Sequence, residues 1–276
     1  ITKIYGKDLS FNNINDLEIA MEIVAQFNRN ACAIIKHGNP CGVALDEKQE
    51  KAYKKALVCD SISAFGGIVA FNKKLNEKTA KEISKIFTEL IIAPDFSSKA
   101  VKLLSMKKNL SLVRYNPINT SKGKKIKSTR NYLLVQDEDK KKVLKNDLKF
   151  VTKNKPKNSE VEDMLFAFTV CKYLNSNAIV IAKNQATLGI GVGQTSRIEA
   201  AKHAIDKAKN ILTKNKKTVL ASDGFFPFPD IIKYCSKNNV SAIIHPGGSK
   251  NDDLVIKAAN KSGISIAITN LRHFKH

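Results

Sequence analysis

Short apolar runs, each closed by Gly, Pro, Asn or Asp and each followed by a helical pattern, recur along the whole chain, and this alternation restricts its fold more tightly than any other feature. It predicts a three-layer α/β protein with a sheet between helices. The runs include AII (33–35), the end of DSISAFGGIVAFN (60–72), LIIA (90–93), residues 110–114, YLLVQ (132–136), NAIVIAKN (177–184), TVLAS (218–222), AIIHP (242–246) and ISIAIT (264–269). A polar extended start closes at Phe11, Asn12 and Asn13, and Asn15 or Asp16 is expected to cap a helix over 16–28. Further helices are expected over 47–59, 76–88, 97–106, 160–174 and 196–211, with SKGKKIKSTR (121–130) as a solvated loop. The pattern comes twice. AIIK (33–36) matches VIAK (180–183) and IIAP (91–94) matches IIHP (243–246), in the same order and at offsets near 150 residues. A duplicated chain is therefore predicted, divided near residue 147 into halves 1–147 and 148–276, with the strand-end loops of both converging on one cleft.

The formal charge of +22 invites a nucleic-acid partner. Composition argues against it, because 42 of the 47 basic residues are lysines scattered over the whole length, aromatics are 7% and Trp is absent. The expected role of this field is to attract small anionic substrates. No apolar run approaches the roughly 18 residues of a membrane helix, so no membrane partner is expected. Five cysteines without a C-x-x-C spacing point to reduced thiols and a cytoplasmic protein. The chain starts at Ile1 without a Met and is expected to be a fragment. Against this lysine background the five arginines stand out, and Arg197 (in GIGVGQTSR) and Arg272 (in TNLRHFKH) are the candidates for gripping phosphate or carboxylate with a planar fork.

Chemistry is expected in AIIKHGNPCGVA (33–44), where a buried strand delivers Lys36 and His37 to a turn built from Gly38, Asn39, Pro40 and Gly42. An ammonium beside an imidazole disfavours the imidazolium, which leaves His37 able to accept a proton; the alternative is an ordinary solvated strand end. GIGVG (189–193) lacks the G-x-G-x-x-G spacing and reads instead as a glycine-rich approach to a helix start near Thr195 and Ser196, where Arg197 and backbone N–H groups hold an anion. PGGS (246–249) is either a second such place or a plain turn. In DGFFPFPD (223–230), Phe225, Phe226 and Phe228 cannot all face one core, and at least one is expected to wall a flat heterocycle. His273 and His276 read as incidental unless the tail folds into the cleft. Pro40-Cys41 without H-x-E or P-C-x-x-C argues against a catalytic zinc, and no metal is expected.

KHGNPCGVA, SAFGGIVAFN, IIAP, SNAIVIAKN, GIGVGQTSR, ASDGFFPFPD, IIHPGGS and the closing LRHF-x-H together resemble the transformylase domain of the bifunctional purine biosynthesis family, in which phosphoribosylaminoimidazolecarboxamide (AICAR) formyltransferase is coupled to inosine monophosphate cyclohydrolase. The resemblance spans the whole chain. It implies two tandem cytidine-deaminase-like subdomains without zinc, a homodimer with active sites near the subunit interface, and transfer of the formyl group of 10-formyltetrahydrofolate, the co-substrate, to the 5-amino group of AICAR. By resemblance His37 assists proton removal and Lys36 stabilises charge at the tetrahedral stage. Matching positions place the nucleotide among His37, Gly66, Glu89, Asn177, Arg197, Phe225 and Arg272, and the folate near Ile198, Asp230, Ser249 and Lys250.

Two departures accompany the match. The family's R-Y-G-x-N-P-H-Q motif and the cyclohydrolase domain would precede Ile1, so weak nucleotide binding by this stretch alone is expected, with cyclohydrolase activity belonging to a longer protein. Pro229 stands where the family usually has Arg, so no ionic contact from position 229 of that loop is expected to carry over. Two competing readings are a basic nucleotide- or RNA-binding module on the same fold without catalysis, against which the adjacent Lys36 and His37 count, and a zinc deaminase, which would need bound metal.

Overall fold

The computed structural model describes residues 1–116, 123–209, 211 and 217–275. The first half runs β1 (Thr2–Tyr5), α1 (Phe11–Val24), β2 (Asn30–Lys36), β3 (Asn39–Asp46), α2 (Gln49–Cys59), β4 (Ile68–Phe71), α3 (Glu77–Ile83), β5 (Leu90–Ala93), α4 (Ser98–Leu104) and β6 (Ser111–Arg114). A separate hairpin, β7 (Lys124–Ser128) with β8 (Leu133–Asp137), follows. The second half runs β9 (Lys149–Phe150), α5 (Asn158–Cys171), β10 (Ile179–Lys183), β11 (Ala186–Gly191), α6 (Arg197–Lys209), β12 (Thr218–Ser222), α7 (Asp230–Lys237), β13 (Val240–His245), α8 (Asp252–Ser262) and β14 (Ser265–Ile268).

Among the described residues one twelve-stranded sheet joins the halves. Outward from its centre the first half lies in the order β3-β2-β4-β5-β6-β1 and the second in the order β11-β10-β12-β13-β14-β9. The sense of pairing repeats too: an antiparallel hairpin, an antiparallel step, two parallel steps and an antiparallel edge. The seam is thin. Ala44 faces Ala186, Leu45 N–H donates to the Gln185 carbonyl at 2.9 Å, and the buried Thr187 hydroxyl both accepts from Val43 N–H (2.9 Å) and donates to the Val43 carbonyl (3.2 Å).

Strand alternation sends successive residues to opposite faces. Ala31, Ala33 and Ile35 of β2 pack with α1 and α5 in one apolar cluster that spans both halves, where the Phe27 and Phe166 rings lie 5.5 Å apart. Cys32 and Ile34 face the opposite layer, which α2, α3 and α4 form in the first half and α6, α7 and α8 in the second. The result is the expected three-layer α/β arrangement.

Several local expectations are corrected. Helix α1 begins at Phe11, not 16, because Ser10 and Asn13 exchange hydrogen bonds at 3.1 Å in a capping box, which leaves Asp16 inside the helix for another use. Helix α3 stops at Ile83 rather than 88. Asn39, Pro40 and Gly42 belong to strand β3, so the turn after β2 holds only His37 and Gly38. Gly189, Ile190 and Gly191 of GIGVG are strand β11, and the chain from there leads to the helix that starts at Arg197. A Cβ on Gly42 would lie 2.0 Å from the Ala56 carbonyl oxygen and one on Gly189 1.8 Å from that of Ala204, so these glycines let α2 and α6 press onto the hairpins. Lys124–Ser128 of SKGKKIKSTR pair as β7, while Ser121 and Lys122 lie outside the described residues. The end of the expected 196–211 helix also falls partly there, and so does His276.

Candidate active site

Strand β2 ends at Lys36, whose ammonium donates to the Phe65 carbonyl at 2.6 Å and keeps two further N–H groups for another partner. His37 and Gly38 then reverse the chain with φ of 52° and 74°. A two-residue hairpin turn with both residues left-handed matches the twist of the strands it joins. The buried Asp16 side chain reaches from α1 and accepts both turn N–H groups, His37 at 2.9 Å and Gly38 at 2.6 Å, while the His37 side chain stays exposed. Near it Gly66 N–H donates to the Phe87 carbonyl at 2.9 Å, and the Glu89 carboxylate accepts from Asn13 Nδ2 at 2.9 Å.

The second half repeats this construction. Asp163 accepts from Asn184 N–H (2.9 Å) and Gln185 N–H (2.6 Å), both residues have φ of 52°, and the Lys183 ammonium donates to the Lys217 carbonyl at 2.7 Å. Burial pushes the Asp163 carboxyl above its usual range despite those two amides. Asn184 thus stands where the first half has His37.

A second cluster gathers at the ends of β10, β12 and β13. The Arg197 side chain, only 10% exposed, turns inward: it pairs with the fully buried Asp223, donates to Ser222 Oγ at 2.9 Å, and reaches Asn177 Oδ1 at 2.6 Å from its other nitrogen. Asn177 in turn donates to the Gln194 carbonyl at 2.9 Å. A cleft of about 470 Å³ opens beside this network, walled by Phe225, Phe228 and Phe274 and lined by Asn177, Ile198 and Asp230. The three phenylalanines of DGFFPFPD do divide: Phe226 is fully buried, Phe228 is 60% exposed, and Phe225 carries the Arg272 guanidinium 4.9 Å above its ring.

The PGGS amides are engaged internally, Gly247 N–H by His245 Nδ1 at 3.0 Å and Gly248 N–H by Asp252 at 2.7 Å. Ser249 Oγ accepts from Asn251 N–H (3.1 Å), and Asn251 Nδ2 donates to the Pro227 carbonyl at 2.7 Å, which brings Ser249 and the exposed Lys250 beside the phenylalanine loop. His273 is buried, with its ring against Phe168 and Asp139 and its backbone N–H donating to the Asp223 carbonyl, so it anchors the tail.

Register places the His37 and Arg197 groups at one end of the sheet and the Asn184 turn at the other. Ile35 faces Ile68 and Ile68 faces Leu90, so Gly66 and Glu89 sit at the His37 end. Because β3 and β11 are antiparallel, Gly191 returns to that same end, opposite Ile179, which faces Ser222. Four strand spacings separate β2 from β12, about 19 Å at the usual interval, so within one chain the His37 group and the Arg197 group are neighbours without being in contact. Sequence reasoning missed Asp16, Ser222, Asp223 and Phe274, although Ser222 and Asp223 lie in ASDGFFPFPD and Phe274 in TNLRHFKH, both quoted motifs. Among the described residues no three His, Cys, Asp or Glu side chains group to hold a metal, and no helix is long and apolar enough to cross a membrane.

A three-layer α/β protein whose two halves repeat one strand order, with a Lys-His pair and an arginine-carboxylate network at one sheet end, is the class that fold and site define. The chain belongs to the AICARFT/IMPCHase bienzyme family, whose family pattern it matches over residues 1–207. It is similar to the bifunctional purine biosynthesis protein PurH of Thermoanaerobacter sp. (strain X514), 48% identical over 274 residues, and to that of Aquifex aeolicus (strain VF5), also 48% over 274 residues. The protein of the same name from Buchnera aphidicola subsp. Baizongia pistaciae is 46% identical over 281 residues. These matches cover 99–100% of this chain and 53% of each relative, so the chain spans about half the length of the curated relatives it matches.

Proposed function

We propose that this chain performs formyl transfer from 10-formyltetrahydrofolate to the 5-amino group of AICAR in purine synthesis. The observation that carries the reading is the Lys36-His37 pair, presented at an open sheet end in a chain of this family. The amine is a poor nucleophile because its lone pair is delocalised into the ring and carboxamide. As its nitrogen attacks the formyl carbon, His37 takes the amine proton, and the Lys36 ammonium, steadied by the Phe65 carbonyl, faces the oxyanion of the tetrahedral stage. Collapse breaks the bond to the folate nitrogen, which leaves with a proton as tetrahydrofolate.

Gly66, Glu89, Asn177, Arg197, Phe225 and Arg272 are assigned to the nucleotide. The exposed guanidinium of Arg272, stacked on Phe225, is the better free anion grip, since Arg197 is balanced internally by Asp223. Ile198, Asp230, Ser249 and Lys250 are assigned to the folate, and the apolar walls and carboxylate edge of the cleft suit a flat, N–H-bearing heterocycle. No metal is assigned a role.

We read residues 1–147 and 148–276 as duplicated units and the working form as a cytoplasmic homodimer. Strand β12, whose end carries the Ser222 and Asp223 partners of Arg197, lies four strand spacings, about 19 Å, from β2, and this separation supports a second copy that brings a Lys-His turn to an arginine cleft. The β7-β8 ribbon supports such a partner: every residue of both strands is exposed, including Ile126, Leu133, Leu134 and Val135, and an isolated two-stranded ribbon is marginal alone. The test is tetrahydrofolate release from the two substrates by wild type and His37→Ala. A loss of about 10²–10⁴-fold is expected, and a variant that keeps the wild-type rate would refute the assignment.

A further inference from the structure

We propose that Asp16 is the positioning residue for His37, its carboxylate holding the catalytic turn in the one conformation that aims the imidazole over the sheet end. The inference rests on the reading of His37 as the base. Among the described residues the His37 ring has no hydrogen-bond partner, so its placement comes from the backbone alone. That backbone is left-handed, a conformation a non-glycine residue keeps only when its surroundings over-determine it. Asp16 does so from a buried position on α1, with one oxygen on each turn amide in charge-assisted bonds, and Asn39 Nδ2 adds a bond to the His37 carbonyl at 3.1 Å.

The duplicated half provides an internal control. Asp163 makes the same two bonds to a turn with Asn184 in place of histidine, and that turn lies at the opposite end of the sheet from the assigned site. If the clamp only stabilised a hairpin, the two aspartates would be interchangeable in their effects.

The experiment compares Asp16→Asn with Asp163→Asn, measuring urea unfolding alongside kcat and nucleotide KM, with His37→Ala in parallel. Both aspartate variants should lose similar stability. Only Asp16→Asn should lower kcat, by about 10- to 100-fold, with KM moving less than about threefold, since sub-ångström misplacement acts on the reacting geometry more than on binding. Equal kcat in the two aspartate variants would overturn the proposal while leaving His37→Ala inactive. A wild-type rate in His37→Ala would instead remove the catalytic reading, and the proposal with it. Should Asp16→Asn fail to fold, Gly38→Ala strains the same turn (φ 74°) while its Cβ meets only Asn15 Nδ2, at an ordinary 3.7 Å, and should also depress kcat; a folded Gly38→Ala with wild-type kcat would show that the turn geometry is irrelevant.

Discussion

His245 illustrates how one residue couples the site to pH. It is buried at the end of β13, stacked on Phe226 at 4.6 Å, and burial pulls its pKa from 6.5 down to about 4. In the folded chain the ring therefore stays neutral through a window in which the unfolded chain protonates it. Between these two values the unfolded state binds more protons, so this contribution to stability is complete above about pH 6.5 and is lost as pH falls toward 4, with a slope of at most about 1.4 kcal/mol per pH unit. Urea unfolding of wild type and His245→Gln across pH 4 to 7 checks it: the stability difference between the two should narrow on acidification, and a difference independent of pH would mean that the ring titrates normally. The residue itself stood in a motif singled out for its glycines, and nothing local announced that its Nδ1 would accept from Gly247 N–H.

The hairpins are where sequence pattern and structure parted at the level of elements. Apolar runs marked β2, β5, β10 and β13 well, because burial on both faces leaves a continuous signal. The glycines of β3 and β11 read as loop instead, since their purpose is the close approach of a helix that sequence distance conceals. Gly189 measures that approach: an alanine Cβ there would stand 1.8 Å from the Ala204 carbonyl oxygen, backbone that cannot swing aside. Gly189→Ala should push α6 off the sheet and cost about 1–3 kcal/mol by chemical denaturation. Because α6 begins at Arg197, the same variant should weaken nucleotide binding; unchanged stability would show that the helix is free to shift.

At the level of the whole molecule the exposed β7-β8 ribbon is the feature a single chain leaves uncovered, and a second copy is the occupant we assign to it. Leu134→Asp, at a side chain 51% exposed, should leave the monomer fold intact yet shift sedimentation toward monomer and reduce formyl transfer; a variant that remains dimeric and fully active would place the interface elsewhere. The alternation of strands and helices, their repetition at a spacing near 150 residues and the residue types of the Lys-His and arginine motifs were all determined by sequence alone, because burial periodicity and turn chemistry act within a few residues. Tertiary structure decided which of those motifs share an end of the sheet. That outcome depends on the antiparallel seam between β3 and β11, held by the Val43 and Thr187 contact across 144 residues, and on Asp16 reaching a turn 21 residues away, pairings that a local pattern has no means to encode.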